Sequence, residues 1–480
     1  MHGIWTTEHI RIAEDRLLAR TPGGALMRRA AFGVSVHAAR MLSRHTGRIS
    51  GTRVVLLVGA GNNGGDALWA GAFLRRRNVA VTAVLLAPDR AHVEGLAAFG
   101  KAGGRIAGNG VAAVRAADLV IDGIVGLSAH GPLRPDATEL VDAVTVPILA
   151  VDLPSGVDPD TGAVSGPAVG AEVTVTFGAR KPVHVLSSGV THCGRVELVD
   201  IGLFRELGEP DLVALTAADV GAVWPVPGPT DDKYSQGVTG VAAGSARYPG
   251  AAVLSTGSAV LATSGMVRFA GGAADAVRAH WPEVVTTGSV VDAGRVQAWV
   301  VGPGLGTGTA SQEVLRTVLA AGVPVCADAD AITMLAQQPD LWDARDPGTP
   351  VVLTPHAGEF ARLAGDVGPD LAGAARRAAR QTDAVVLLKG HTTVVAAPDG
   401  RTLVNSALSS WPATAGSGDV LSGLVGALLA AGLDPWFAAG CAAYLHGLAA
   451  DIASSGAPAP ASRLLAAIPD AIREVRSAAR

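Results

Sequence analysis

Residues 53–75 read R-V-V-L-L-V-G-A-G-N-N-G-G-D-A-L-W-A-G-A-F-L-R. Val54 to Val58 form an unbroken apolar run that stops at Gly59. A run without alternation reads as a strand buried on both faces, and the apolar-periodic stretch after Asp66 reads as a helix. Strand, glycine-rich turn and helix make the repeating unit of a parallel sheet. The same pattern continues in V-A-V-T-A-V-L-L-A (79–87), D-L-V-I-D-G-I-V-G (118–126), V-P-I-L-A-V-D-L-P (146–154) and E-V-T-V-T-F-G-A (172–179). It resumes in G-V-T-G-V-A-A-G (237–244), A-W-V-V-G-P-G-L-G (298–306), V-P-V-C-A-D-A-D (323–330), P-V-V-L-T-P-H (350–356) and A-V-V-L-L-K-G (384–390). Polar or glycine-rich residues close nearly every run. Ligands gather at that carboxyl edge in sheets of this kind. From about Gly418 onward the chain reads as consecutive helices.

The fold class expected is α/β, with two successive domains. The first is a Rossmann-like three-layer α/β/α domain over residues 1–212, and the second is an α/β domain over 213–480. Pro225, Pro227 and Pro229 lie within five residues. They are expected to stiffen a connector between the halves. The halves show no clear self-similarity.

Composition narrows the function classes. The chain has 480 residues, 49% of them hydrophobic, and a mean hydropathy of +0.35. That is ample for large cores. No window offers the roughly 18 uninterrupted apolar residues a spanning helix needs. The N-terminus carries early charge and lacks the apolar core of a signal peptide, so a cytoplasmic protein without membrane contact is expected. The net charge is −4 with no basic stripe, which argues against nucleic acid. Cys193, Cys326 and Cys441 are far apart and form neither a disulfide framework nor a zinc spacing. The 38 basic residues include only four lysines: Lys101, Lys181, Lys233 and Lys389. Where arginine is the default cation, a retained lysine points to a compact ammonium charge.

The first candidate site is G-A-G-N-N-G-G-D (59–66). Glycines allow close approach of a ligand, and a helix N-terminus favours phosphate. The pattern departs from G-x-G-x-x-G. Its asparagines supply carbonyl oxygens suited to a sugar, an amide or a monovalent cation; the bland alternative is an ordinary capped turn. Asp122 and Asp152 end later strands. With Asp66 they are expected at one sheet edge, although any one of them could be a turn residue.

Taken with W-T-T-E-H-I-R-I-A-E-D-R-L, A-L-M-R-R-A, N-N-G-G-D and V-D-L-P-S-G, residues 1–210 resemble the NAD(P)HX epimerase domain. The resemblance implies that hydrated dinucleotide meets Asn62, Asn63, Gly64, Gly65 and Asp66, then Gly126, Leu127, Ser128, Ala129, His130, Gly131 and Pro132, and Asp152. It implies potassium held by Asn63, Asp122 and Ser155, and acid–base work by Asp152. Ala67 replaces the glycine usual after N-N-G-G-D, and His130 stands where some members carry a lysine.

The second half gathers G-P-G-L-G (302–306), D-A-D-A (328–331), T-P-H-A-G-E-F (354–360), K-G-H-T-T (389–393) and A-G-S-G-D (415–419) at strand ends. Singly, these read equally well as a turn, a cap, a packed histidine or a surface charge. Together they read as a site. G-S-G opening a helix makes a nest of backbone N–H groups that stabilises charge during phosphoryl transfer, and Asp419 beside it accepts a proton from a hydroxyl. There is no G-x-x-x-x-G-K-[ST].

A-G-S-G-D resembles the ribokinase-like arrangement, so a ribokinase-like second domain is expected. Vitamin kinases of that type carry N-x-x-E, whereas T-P-H-A-G-E has histidine in that slot. With D-D-K-Y-S-Q-G-V-T-G-V-A-A-G-S-A-R-Y-P-G-A-A-V-L-S (231–255), residues 215–480 resemble the ADP-dependent NAD(P)H-hydrate dehydratases. The resemblance implies that the hydrate meets Ala251, Gly304, His356 and Asp419, with Asp419 catalytic. It also implies that ADP meets Lys389, Gly390, His391, Thr392, Thr393 and Gly418, and that Glu359 organises magnesium through water. The implied partners are NADHX, NADPHX and ADP, and a homo-oligomer is expected. A ribokinase-type kinase fused to a nucleotide-binding module and a non-catalytic binding protein are the alternatives. His356 argues against the first, and intact Asp66, Asp122 and Asp152 argue against the second.

Overall fold

The computed structural model describes residues 1–406, 411 and 413–480. It contains two compact units: Gly3–Leu212, and Val213–Arg480 together with Met1–His2.

In Gly3–Leu212 a seven-stranded parallel sheet runs in the order Arg105–Ile106, Ala80–Leu85, Arg53–Val58, Leu119–Gly123, Ile148–Val151, Val173–Phe177, Arg195–Val199. The order reverses between Arg53–Val58 and Leu119–Gly123, which opens a crevice at their carboxyl ends. One side chain layer of the sheet packs with the helices Thr7–Leu18, Ala25–Thr46 and Asn62–Arg75. Val55, Leu57 and Val120 face the other way, toward Leu133, Ala137 and Leu140. The outer strands Arg105–Ile106 and Arg195–Val199 carry no continuous apolar run. Their side chains are exposed or half-buried, so the pattern that reveals central strands is missing there.

In the second unit, parallel strands run in the order Val385–Leu388, Val351–Leu353, Val325–Ala327, Ala298–Val301, Val238–Ala242, Met266–Ala270, Val285–Thr287. The strand order of this sheet also reverses, between Ala298–Val301 and Val238–Ala242. Beyond Val385–Leu388 lies an antiparallel hairpin, Thr392–Ala396 and Thr402–Ser406. Its turn residues A-P-D-G (397–400) are a turn signal in the sequence, with Gly400 at φ 97°. The helix Ser417–Ala430 is buried nearly all round. An apolar surface on every side marks a central helix.

Pro225–Pro229 is not the connector between the units. The helix Ala217–Val223 precedes it and belongs to the second unit. Thr216 and Asp219 close that helix's first turn with a reciprocal capping box. Gly221, where a Cβ would strike the Val475 carbonyl, lets the helix press against Ala461–Ala478. Among the described residues no helix is long and apolar enough to cross a membrane.

Candidate active sites

In the first unit Asn62 to Asp66 form the opening turn of the helix Asn62–Arg75 rather than a loop tip. Gly61, at φ 80°, turns the chain into it. Gly64 lies so close to the Gly59 carbonyl that a Cβ has no room. Asn63 Oδ1 lies against Gly126, the first residue of the segment to Pro132. In that segment Gly126 and Ala129 are buried, Leu127 is half-buried, and Ser128, His130, Gly131 and Pro132 are exposed.

Asp122 is fully buried. It accepts from the Ser155 hydroxyl at 2.8 Å, from Ser155 N–H at 2.8 Å and from Ile124 N–H at 3.1 Å. Burial pushes its pKa up to about 6, and the bonds from Ser155 and Ile124 offset part of that rise. No cationic side chain is bonded to it among the described residues. Asn63 Nδ2 is buried without a partner. The unpartnered Nδ2 is a donor and cannot ligate a cation; the oxygens that could are those of the Asp122 carboxylate, the Ser155 hydroxyl and the Asn63 amide.

Asp152 follows Ile148–Val151 in a left-handed conformation, φ 70°. A non-glycine residue held there is strained, and such residues concentrate at functional sites. Its carboxylate accepts from Lys181 Nζ at 2.6 Å and from the Thr176 hydroxyl at 3.0 Å. Lys181 is 1% exposed and also donates to Thr176 Oγ1 at 2.7 Å. Lys181 N–H donates to His184 Nδ1, which leaves the proton on Nε2, 3.0 Å from the Asp152 carbonyl. Burial and then Lys181 hold His184 neutral, with a pKa of about 3.

Asp66 completes the group. Its Oδ1 is buried without a partner. Burial, followed by Asp152 and Glu14, raises its pKa well above the ordinary value. Glu14, from the helix Thr7–Leu18, is raised by burial against the pull of Lys181. Sequence reading passed over Glu14 and gave Lys181 no role. The scarcity of lysine was the one signal for Lys181, since 29 residues separate it from Asp152.

In the second unit, Gly302 to Gly306, Asp328, His356 and Lys389 follow four adjacent parallel strands. Gly304, at φ 60°, lies against Ala251 on the helix Pro249–Ala262. Lys389 Nζ donates to Asp328 Oδ1 at 2.7 Å and lies 3.9 Å from Glu359 Oε2. Asp328 Oδ2 accepts from Ser422 Oγ at 2.7 Å, tying the strand end to the helix Ser417–Ala430. Burial works to lower the Lys389 pKa, but Asp328 and Glu359 outweigh it and hold the ammonium above its ordinary value. Gly418 lies beside Lys389 and Asp328.

His356 is the N-cap of Ala357–Ala364. Its Nδ1 accepts from Gly358 and Glu359 N–H, and Glu359 Oε2 accepts from His356 N–H at 2.9 Å. One oxygen of Glu359 is therefore committed to the cap. Gly390 and His391 form the hairpin's approach, and Thr392 and Thr393 are its first strand residues, with Thr392 buried. The pKa of Asp419 rises to about 6, from burial first and then from Asp328 and Asp330, against the pull of Lys389. Asp328 and Glu359 thus lie 2.7 Å and 3.9 Å from one ammonium, and Asp419 is near enough for its pKa to respond to that ammonium and to Asp328 and Asp330. A magnesium ion travelling with the nucleotide's phosphates would offset that excess of negative charge, held through water, since among the described residues no group of three or more His, Cys, Asp or Glu is positioned to bind it directly.

Residues 23–183 match the family model described as YjeF-related protein N-terminus, and residues 239–470 match the model for NAD(P)H-hydrate dehydratase. The chain is 58% identical over 438 residues to the bifunctional NAD(P)H-hydrate repair enzyme Nnr of Mycobacterium tuberculosis (strain CDC 1551 / Oshkosh), covering 90% of each chain. It is 54% identical over 481 residues to that of Mycobacterium leprae (strain TN), covering 98% of this chain and 99% of the relative. A ribokinase-like superfamily protein from Enterococcus faecalis V583 superposes with a TM-score of 0.50 at 23% identity, over 56% of this chain and 98% of its own. That likeness shows the ribokinase-like fold of the second unit. With family models matching in both units and a relative aligned over nine-tenths of each chain, this chain belongs to the bifunctional NAD(P)H-hydrate repair enzymes.

Proposed function

We propose that this chain restores hydrated nicotinamide nucleotides. In this reading the Gly3–Leu212 unit interconverts the two epimers of NADHX and NADPHX. The other unit dehydrates the S epimer at the expense of ADP. The observation that carries the reading is Asp419: a half-buried carboxylate with a raised pKa beside the G-S-G turn, at the edge that also bears Lys389 and Asp328. A base next to an anion nest is what a hydroxyl needs to attack a phosphorus atom.

Asp419 accepts the hydroxyl proton as the substrate oxygen attacks the β-phosphorus of ADP, and AMP leaves. The carbon–oxygen bond then breaks with the ring nitrogen's assistance, phosphate departs, and loss of the neighbouring C–H proton restores the double bond. Hydroxide is a poor leaving group and phosphate a good one, which is the physical reason for using a nucleotide. Magnesium bound with ADP would supply charge neutralisation on the transferred phosphoryl group, and Glu359 would hold its water. Lys389 holds the Asp328 carboxylate in place through its 2.7 Å bond. Gly304 and Ala251 bring backbone and small side chains close to the hydrate.

In the other unit, Asp152 moves protons at the hydrated carbon, and Lys181 fixes its carboxylate. Asn63, Asp122 and Ser155 would hold potassium, which contributes charge compensation for the buried Asp122. The segment from Gly126 to Pro132 and the turn from Asn62 to Asp66 enclose the dinucleotide. NADHX, NADPHX and ADP are the partners in this reading. Cytoplasmic residence and a homo-oligomer complete it; light scattering tests the latter.

The deciding assay supplies each separated epimer with ADP, magnesium and the protein, and follows NADH absorbance. Recovery from both epimers at comparable rates is expected. Recovery from the S epimer alone would remove the epimerase assignment. No recovery, with ATP consumed on a vitamin alcohol, would favour a small-molecule kinase.

A further inference from the structure

His446 lies on the helix Pro435–Ser454, and its ring meets Ser417, the first residue of the helix Ser417–Ala430. Nε2 is 2.9 Å from the Ser417 carbonyl oxygen and 3.0 Å from Ser417 Oγ. A carbonyl oxygen only accepts, so Nε2 carries the proton. Burial lowers the His446 pKa to about 4, against the bond to Ser417, with Lys389 lowering it further. The ring is therefore neutral, with its single proton on Nε2. That N–H is shared between two oxygens of one residue.

The consequence falls on the Ser417 hydroxyl. Its oxygen accepts from His446, so its own proton cannot be spent on Nε2. Among the described residues it has no other acceptor. Ser417 is buried and opens the helix Ser417–Ala430 behind Gly416, at φ 86°. In that first turn the N–H groups of Gly418 and Asp419 have no intrahelical acceptor. A hydroxyl proton held ready beside them adds a donor to the same nest.

We propose that His446 is a positioning residue of the dehydratase site: its Nε2–H orients the Ser417 hydroxyl so that this hydroxyl donates to the phosphoryl group in transfer. The inference rests on the dehydration reading given above. It concerns neither Asp419 nor the backbone N–H groups, which act directly on the reacting atoms.

The test uses full-length His446→Ala, His446→Gln, Ser417→Ala and the Ser417→Ala/His446→Ala double variant, with the S epimer, ADP and magnesium. His446→Ala and Ser417→Ala should each lower kcat, by about 10-fold to 100-fold, toward the loss seen when one anion-hole donor is removed. KM for ADP should stay within about threefold. The double variant should be no slower than the slower single one, because the histidine acts through the serine. His446→Gln keeps an N–H near the Nε2 position and should recover most of the rate. Multiplying losses in the double variant, a change confined to KM, or no recovery with glutamine would each overturn the proposal. If thermal melting shows that His446→Ala does not fold, His446→Gln with and without Ser417→Ala decides. Near-wild-type kcat with Ser417 and loss without it supports the proposal, and a low kcat with Ser417 present sinks it. Failure of the wild-type protein to regenerate NADH would instead sink the dehydration reading itself.

Discussion

Asp419 and Lys181 are where single atoms decide most. Asp419→Asn keeps the shape and removes the base. Dehydration should fall by about 10²–10⁴-fold, the range for a lost general base, with epimer interconversion unchanged; chromatography of the two epimers measures both. The raised pKa of Asp419, about 6, sets a pH dependence. The carboxylate must be ionised to accept a proton, so kcat/KM for dehydration should be level above about pH 6 and fall tenfold per unit below it. A profile flat down to pH 5 would exclude Asp419 as the base. Lys181→Met leaves Asp152, 6% exposed, without its cation. Breaking a buried pair costs about 3–5 kcal/mol, read from the urea midpoint, and epimerisation should be lost while the S epimer is still dehydrated.

Helix contacts set where those atoms sit. The helices Ser417–Ala430 and Pro249–Ala262 touch through Gly423, where a Cβ would run into the Ser255 carbonyl oxygen. One helix carries Asp419 and the other Ala251, so this close approach fixes the width of the site. Gly423→Ala forces the pair apart. Overpacking of this kind costs about 1–3 kcal/mol, and kcat for dehydration should fall although no catalytic group has changed; a melting curve with wild-type kcat would contradict this. At this scale the sequence was informative where a strand is an unbroken apolar run and silent where a strand carries a charge or follows a turn of polar residues. Val54–Val58 and Val385–Leu388 are buried on both faces and show as apolar runs. Met266–Ala270 carries Arg268 in its middle, and Thr392–Ala396 follows a glycine-histidine turn that reads as ligand-binding loop.

Across the whole chain, two units with separate sheets imply two separable activities. A mixture of Asp152→Asn and Asp419→Asn proteins should regenerate NADH from both epimers, since each variant supplies what the other lacks through solution. Recovery from the S epimer alone in the mixture, with wild-type chains active on both, would mean that epimerisation and dehydration require one chain. The sequence by itself determined the α/β class, the glycine turns and the carboxylates at strand ends, because buried parallel strands and turns leave local signatures. Tertiary structure alone decided the partners: Lys181 on Asp152, Ser422 on Asp328, His446 on Ser417 and Glu14 near Asp66. Those pairs are separated by 29, 94, 29 and some fifty residues. Periodicity reports a residue's own burial, but which charge it meets there is set by how the chain folds back on itself.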